Sequence, residues 1–185
     1  SIVASGRYRG MLFPEYLEKI GKESWGWKCR PMERFPLLVK LIDARENLSV
    51  QVHPDDAYAL EHENEYGKNE MWYVLDCAPD ACIYCGFCRD VTREEVERAI
   101  EEDTILELLN RVPIRPGEAW FIPAGTVHAI GAGSLICEIQ QSSACTYRLY
   151  DYNRRDKYGN PRELHLQKAL SVMDYSRYEV QRFDS

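Results

Sequence analysis

From Val112 onward the chain is cut into short apolar runs by Pro and Gly turns: Arg115-Pro116-Gly117, Pro123-Ala124-Gly125 and Gly131 to Gly133. Runs of this length suit strands and are too short for helices. Leu135 to Gln141 and Thr146 to Asp151 read as two of them. Upstream, Phe35 to Ile42 (FPLLVKLI) is a compact apolar run of strand length, and Glu70 to Asp76 and Ala81 to Phe87 follow suit. Leu48 to His53 (LSVQVH) alternates strictly. Side chains on a strand alternate between its faces. Leu48, Val50 and Val52 therefore share one face, and Ser49, Gln51 and His53 the other. Many short strands predict a mainly β fold, a barrel or jelly roll with a few helices at its periphery.

Three helical segments are expected. Leu12 to Gly21 ends on a glycine, where a helix stops. Thr92 to Asn110 opens with a capping box of Thr92 and Glu95 and carries an apolar stripe of Val96, Ile100, Ile105, Leu108 and Leu109. Pro161 to Met173 places its proline in the first turn. Asp55 to Tyr66 reads as a loop with a helical turn. With 185 residues, 45% of them hydrophobic and 29% charged, the chain has the material for one soluble domain with a real core, residues 1–185. The net charge of −7, with basic residues scattered, argues against a nucleic-acid or anionic-membrane surface. A small anionic ligand held by a local cluster of Arg and Lys remains compatible with it. Seven cysteines, an odd number, fit reduced thiols better than a disulfide framework. With no apolar stretch of membrane-spanning length and no leader at the start, the expected location is the cytoplasm.

The polar strand face suggests chemistry. Gln51 and His53 point the same way, Glu70 opens a later strand, and His128 follows the Pro123-Ala124-Gly125 turn. Two imidazoles, a carboxylate and an amide oxygen make a mixed nitrogen and oxygen shell for a divalent metal, zinc first among them, with manganese, iron or nickel also acceptable. A lone His on a strand is more often a hydrogen-bonded structural residue. The surroundings of His128 weigh against that here: Gly117, five residues, Pro123, one, Gly125, two, His128 is the second cupin motif in full. Gln51-x-His53 followed by Glu70 is the first cupin motif in stretched form. His62 and His165 lack such context and are expected at the surface. Cys82, Cys85 and Cys88 have the spacing of iron–sulfur or zinc-knuckle loops. On a strand, however, Cys82 and Cys85 diverge, which favours their reading as small hydrophobes.

The stretches FPLLVKLIDARENLSVQVHPDD, GKNEMWYVL, GEAWFIPAGTVHAIG and EIQQSSACTYRLYDYNR together resemble the type I phosphomannose isomerases, particularly the short bacterial kind. The resemblance implies a cupin-type jelly-roll β-barrel and one zinc ion held by Gln51, His53, Glu70 and His128. It also implies interconversion of mannose 6-phosphate and fructose 6-phosphate through an enediol. Lys68 matches a lysine tied to ring opening or proton transfer, and Arg148 an arginine that stabilises the charged intermediate. Ser49, Lys40 and Arg154 match positions associated with the phosphate. Where this family usually has an aspartate four residues before Arg148, this chain has Ala144, so a metal-loaded sugar-phosphate binder with little catalysis is the competing expectation. Relative to that family the chain, which begins Ser1-Ile2-Val3, reads as lacking segments at both ends. A homodimer would cover the barrel edges left open.

Overall fold

The computed structural model describes residues 1–184. The chain falls into two compact units, Ser1–Leu37 and Leu38 onward. In the first, helix α1 (Phe13–Ile20) has a proline in its opening turn, Glu15 near its N-terminus and Lys19 near its C-terminus, each sign complementing the helix dipole. Gly21 ends it at φ 73°, a conformation in which a side chain would be strained. A single 3₁₀ turn, Lys22–Trp25, follows. No residue of either helix is buried. An aromatic cluster takes the place of a core, with Phe35 edge-on to both Phe13 (5.7 Å) and Trp25 (5.8 Å).

The strands form two five-stranded sheets. The first has the order β1 (Leu37–Ala44), β8 (Ser134–Gln141), β3 (Glu70–Cys77), β6 (Glu118–Ile122), β10 (Arg182–Asp184). The second runs β5 (Leu109–Pro113), β4 (Cys82–Phe87), β7 (His128–Ile130), β2 (Val50–Val52), β9 (Tyr147–Tyr150). The strands are thus grouped as two facing sheets, and among the described residues no ladder joins them into a closed barrel.

Alternation along the strands decides which side chains meet. Trp72 and Val74 of β3, Trp120 and Ile122 of β6 and Ile136 of β8 point inward and pack on Ile83 and Cys85 of β4 and Ile130 of β7, making a core between the sheets. The opposite face of the second sheet contributes Val50, Val52, Tyr84, Ala129 and Leu149 to another core. Helices α3 (Arg93–Glu101) and α4 (Leu166–Val172) cover that core with Val96, Ala99, Ala169 and Leu170. A further helix, α2 (Asp56–Glu63), follows β2 and is capped by Asp55, whose carboxylate accepts from the Tyr58 N–H at 2.8 Å. Close approach of β4 to the end of β7 requires Gly131, because a Cβ there would lie 2.4 Å from the Cys82 carbonyl oxygen.

Two helices are shorter than their sequence patterns predict. The capping box forms as expected, with Thr92 Oγ1 accepting from the Glu95 N–H at 3.2 Å and Glu95 accepting from the Thr92 N–H at 2.8 Å. The helix nevertheless ends at Glu101, Asp103 takes φ 59°, a 3₁₀ turn spans Ile105–Leu108, and Leu109 already belongs to β5. Towards the C-terminus, α4 begins at Leu166 rather than Pro161. The cysteine run does not converge: Cys82 joins the core under the helices, Cys85 the core between the sheets, and Cys88 is exposed.

Candidate metal centre

Each polar residue of the site is placed by a strand. Gln51 lies in β2 and pairs in register with His128, the first residue of β7. His53 follows directly after β2, and Glu70 opens β3 of the facing sheet. The outcome is a cluster of His53, Glu70 and His128 with ligand atoms within 4.8 Å of one another, each no more than 1% exposed. His53 Nε2 is 3.1 Å from one Glu70 oxygen and His128 Nε2 is 3.7 Å from the other.

The protonation pattern of the two imidazoles can be read from their outer nitrogens. His53 Nδ1 lies 2.9 Å from the Cys145 carbonyl oxygen and His128 Nδ1 2.8 Å from that of Thr126. A carbonyl only accepts, so each Nδ1 carries the proton and each Nε2 turns a lone pair toward the cluster. Burial pushes His53 down, and burial together with the adjacent His53 pushes His128 down to about 3. Both rings are therefore neutral at pH 7. Burial works to raise the Glu70 carboxyl, but it stays well below the usual carboxylate range, with the Lys68 ammonium 2.6 Å away as its cationic partner. Two imidazole lone pairs and a carboxylate facing one another in a buried space repel unless a cation lies between them. This donor set fits a divalent metal ion. The Gln51 amide sits 3.3 Å from His128 Nε2, and a half-turn of the amide presents its oxygen to the same place. Trp72 Nε1–H donates to Glu70 at 3.0 Å and fixes the carboxylate from behind.

Above the cluster is a cavity of about 260 Å³. Its polar wall includes Gln51, Glu70, Lys68, Lys40, Ser49 and Arg148, all singled out by the sequence. Arg148 Nε donates to Ser49 Oγ at 3.1 Å and Nη1 to the Glu163 carbonyl at 2.9 Å, so the guanidinium is held in place. Arg154 does not line the cavity. It is paired with Asp151 and donates to the Asn47 carbonyl at 2.8 Å. Ala144 also stays outside, on a neighbouring groove with Glu63, Tyr147 and Lys168. His165 lines that groove too, and His62 is exposed, stacked on Tyr58 with ring centroids 4.0 Å apart.

One cavity residue went unrecognised in the sequence. Glu138 of β8 is 4% exposed, lines the cavity, and accepts from Lys40 Nζ at 3.2 Å; Lys40 also bonds Gln140. Burial and the neighbouring Glu70 push its carboxyl up to about 7. The signal was present: the inward positions of β8 change from Ile136 to Glu138 and Gln140, and a polar residue on a buried strand face needs a partner or a purpose.

Comparison with known proteins agrees with this architecture. Residues 1–82 match the phosphomannose isomerase type I catalytic domain. The chain is 48% identical over 175 residues to mannose-6-phosphate isomerase ManA of Bacillus subtilis, covering 94% of this chain and 54% of the relative. It is 42% identical over 177 residues to the mannose-6-phosphate isomerase of Streptococcus mutans, with the same coverage of each. The crystal structure of the mannose 6-phosphate isomerase from Bacillus subtilis superimposes with a TM-score of 0.82 at 43% identity, covering 94% of this chain and 54% of that one. A phosphomannose isomerase mutant from Salmonella typhimurium shares the fold at a TM-score of 0.67 and 15% identity, covering 94% of this chain and 63% of that one. Fold and site thus define a cupin-like protein with a metal-binding donor set. More particularly, the chain resembles the type I phosphomannose isomerase catalytic domain over residues 1–82 and named mannose-6-phosphate isomerases over nearly its whole length, and it spans about half the length of the curated relatives it matches.

Proposed function

We propose that this chain interconverts mannose 6-phosphate and fructose 6-phosphate, with a zinc ion held by Gln51, His53, Glu70 and His128. The observation that carries the reading is a buried His–Glu–His donor set beneath a cavity whose wall holds three cations and a second carboxylate. Similarity to the named isomerases supports the same substrate pair. Aldose–ketose isomerisation removes a proton from C2, returns it at C1 and moves the carbonyl from C1 to C2. When bound, the ion would supply Lewis acidity at the sugar oxygens on which negative charge develops.

The chain's own residues divide the remaining work. Glu138 is the cavity carboxylate outside the metal set and is placed to carry the proton between the two carbons. Lys68, 4% exposed and against Glu70, offers a proton to a sugar oxygen during ring opening. Arg148, fixed by Ser49 and the Glu163 carbonyl, places a permanent positive charge where the intermediate becomes anionic. The phosphate dianion would take Lys40 and the Ser49 hydroxyl, and Arg154 would join them only by leaving Asp151. The Ala144 departure falls outside the cavity wall, so it does not favour a binder without catalysis over an enzyme. A cytoplasmic setting suits seven unpaired thiols.

A coupled assay for fructose 6-phosphate formation, with zinc supplied, tests the reading. Turnover well above that of a His128→Ala control is expected, and turnover no higher than that control would sink it. Elemental analysis of the purified protein, giving close to one zinc per chain, would support the choice of metal; manganese, iron or nickel in its place would revise it.

A further inference from the structure

We propose that Trp72 is a positioning residue of the metal centre, its indole holding Glu70 and His128 in the arrangement that receives a divalent ion. The inference deepens the proposed function and rests on its metal centre alone, not on the substrate. Trp72 lies two residues beyond Glu70 on β3, so the two side chains share the inward face. It is 1% exposed and touches ligands from both sheets. Its Nε1–H donates to Glu70 Oε2 at 3.0 Å, the oxygen that faces His128 Nε2 at 3.7 Å. The same indole meets the His128 ring edge to face, with centroids 5.4 Å apart and planes 75° apart. One side chain of the first sheet therefore sets the rotation of a carboxylate on its own strand and the tilt of an imidazole on the facing sheet.

The chemistry of the donor suits this role. An indole N–H only donates, and it carries no charge. It fixes the carboxylate without adding positive charge that would repel an incoming ion, whereas the Lys68 ammonium, 2.6 Å from the other Glu70 oxygen, brings one. A second carboxylate makes this selection matter. Glu138 of β8 pairs in register with Trp72 and also lines the cavity. The indole N–H goes to Glu70, so Glu70 is the carboxylate held in line with the two imidazoles, while Glu138 accepts from Lys40. The neighbour on the other side of β3 supplies a contrast. Trp120 of β6 pairs in register with Trp72 and is 3% exposed in the same core. Its Nε1–H has no hydrogen-bond partner among the described residues. Two tryptophans of like burial thus stand side by side, and Trp72 is the one bonded to a ligand.

Competition between the zinc-loaded chain and a chromophoric chelator gives the zinc Kd of the parent, Trp72→Phe and Trp120→Phe. The two substitutions remove the same atoms from the same core, so a role in packing alone predicts equal effects. The expected result is a Kd raised about 10- to 100-fold in Trp72→Phe, the usual cost of losing a hydrogen-bond partner of a metal ligand, and unchanged in Trp120→Phe. With cobalt in place of zinc, the visible absorption bands should shift in Trp72→Phe and keep their parent position in Trp120→Phe. Should Trp72→Phe fail to fold, benzothienylalanine at position 72 removes the N–H while keeping the two-ring shape, and the same rise in Kd is expected. Parent-like affinity in the Trp72 variants, or equal weakening in both Phe variants, would overturn the proposal and leave the metal centre standing. A parent that binds no zinc would overturn the metal centre itself, and this proposal with it.

Discussion

Glu70 meets nearly every element of the site: both imidazoles through its two oxygens, Lys68 at 2.6 Å and Trp72 at 3.0 Å. Removal of a ring on the opposite side should therefore empty the centre while sparing the fold. His128→Ala is expected to lose most of its bound metal and to fall to background in the coupled assay; full metal occupancy by elemental analysis would contradict the assigned ligand set. Glu138→Gln should behave differently, because Glu138 borders the cavity without belonging to the donor set. Its kcat should fall by about 10² to 10⁴, the usual cost of losing an acid–base group. Metal content should stay at the parent level, and an unchanged kcat would remove Glu138 from the mechanism. The cluster of His53, Glu70 and His128 was legible because strand parity pointed at Gln51 and His53, and motif spacing at His128. Glu138 was not, because it sits amid alternating apolar residues, and only the fold shows which parity of β8 faces the cavity. Arg154 illustrates the converse: sequence placed it with the phosphate, while Asp151 engages its guanidinium outside the cavity wall.

At the scale of elements, six strands were readable from short apolar or alternating runs, and each begins and ends within two residues of the expected position, while β5, β6, β7 and β10 were given no bounds. The helix starting at Thr92 was readable at its start and not at its end. Its capping box is a local signal, but its apolar stripe continues through Ile105, Leu108 and Leu109, which the fold spends on a 3₁₀ turn and an edge strand. Periodicity cannot separate these outcomes, since each buries the same residues. Thr92→Ala removes the hydroxyl that caps this helix and should cost about 1 kcal/mol, read as a Tm lowered by about 2–4 °C for a chain of this size. Glu63, at the end of α2, accepts from Lys168 of α4 at 2.6 Å and from Tyr147 of β9 at 2.7 Å, tying three elements together. Those two bonds, Lys168 first, hold its carboxyl below the ordinary glutamate range. A depressed folded-state pKa gives stability that is complete above the unfolded value and is lost as pH falls through the folded one. The Tm gap between the parent and Glu63→Gln should therefore be widest near neutral pH and close as the pH falls below the ordinary glutamate range. A gap that persists in acid would assign the effect to packing instead.

For the whole molecule, the donor set is also a cross-link. Of the proposed ligands, Gln51, His53 and His128 come from the second sheet and Glu70 from the first, so an ion held there would join the two layers that enclose the central core. The donor atoms converge only when both sheets are in place, so an ion bound there stabilises the folded state by mass action. At free metal about 1,000-fold above the Kd this amounts to about 4 kcal/mol, or a Tm rise on the order of 10 °C for a chain of this length. Stripping the protein with a chelator should lower Tm by that order, and zinc added back should restore it. The same treatment should leave the Tm of His128→Ala nearly unmoved, because its donor set is already broken. This comparison needs no substrate, so it separates a metal that fastens the sheets together from one required only for turnover. A chelated parent melting at its original temperature would mean that packing of the core between the sheets already holds the layers in register.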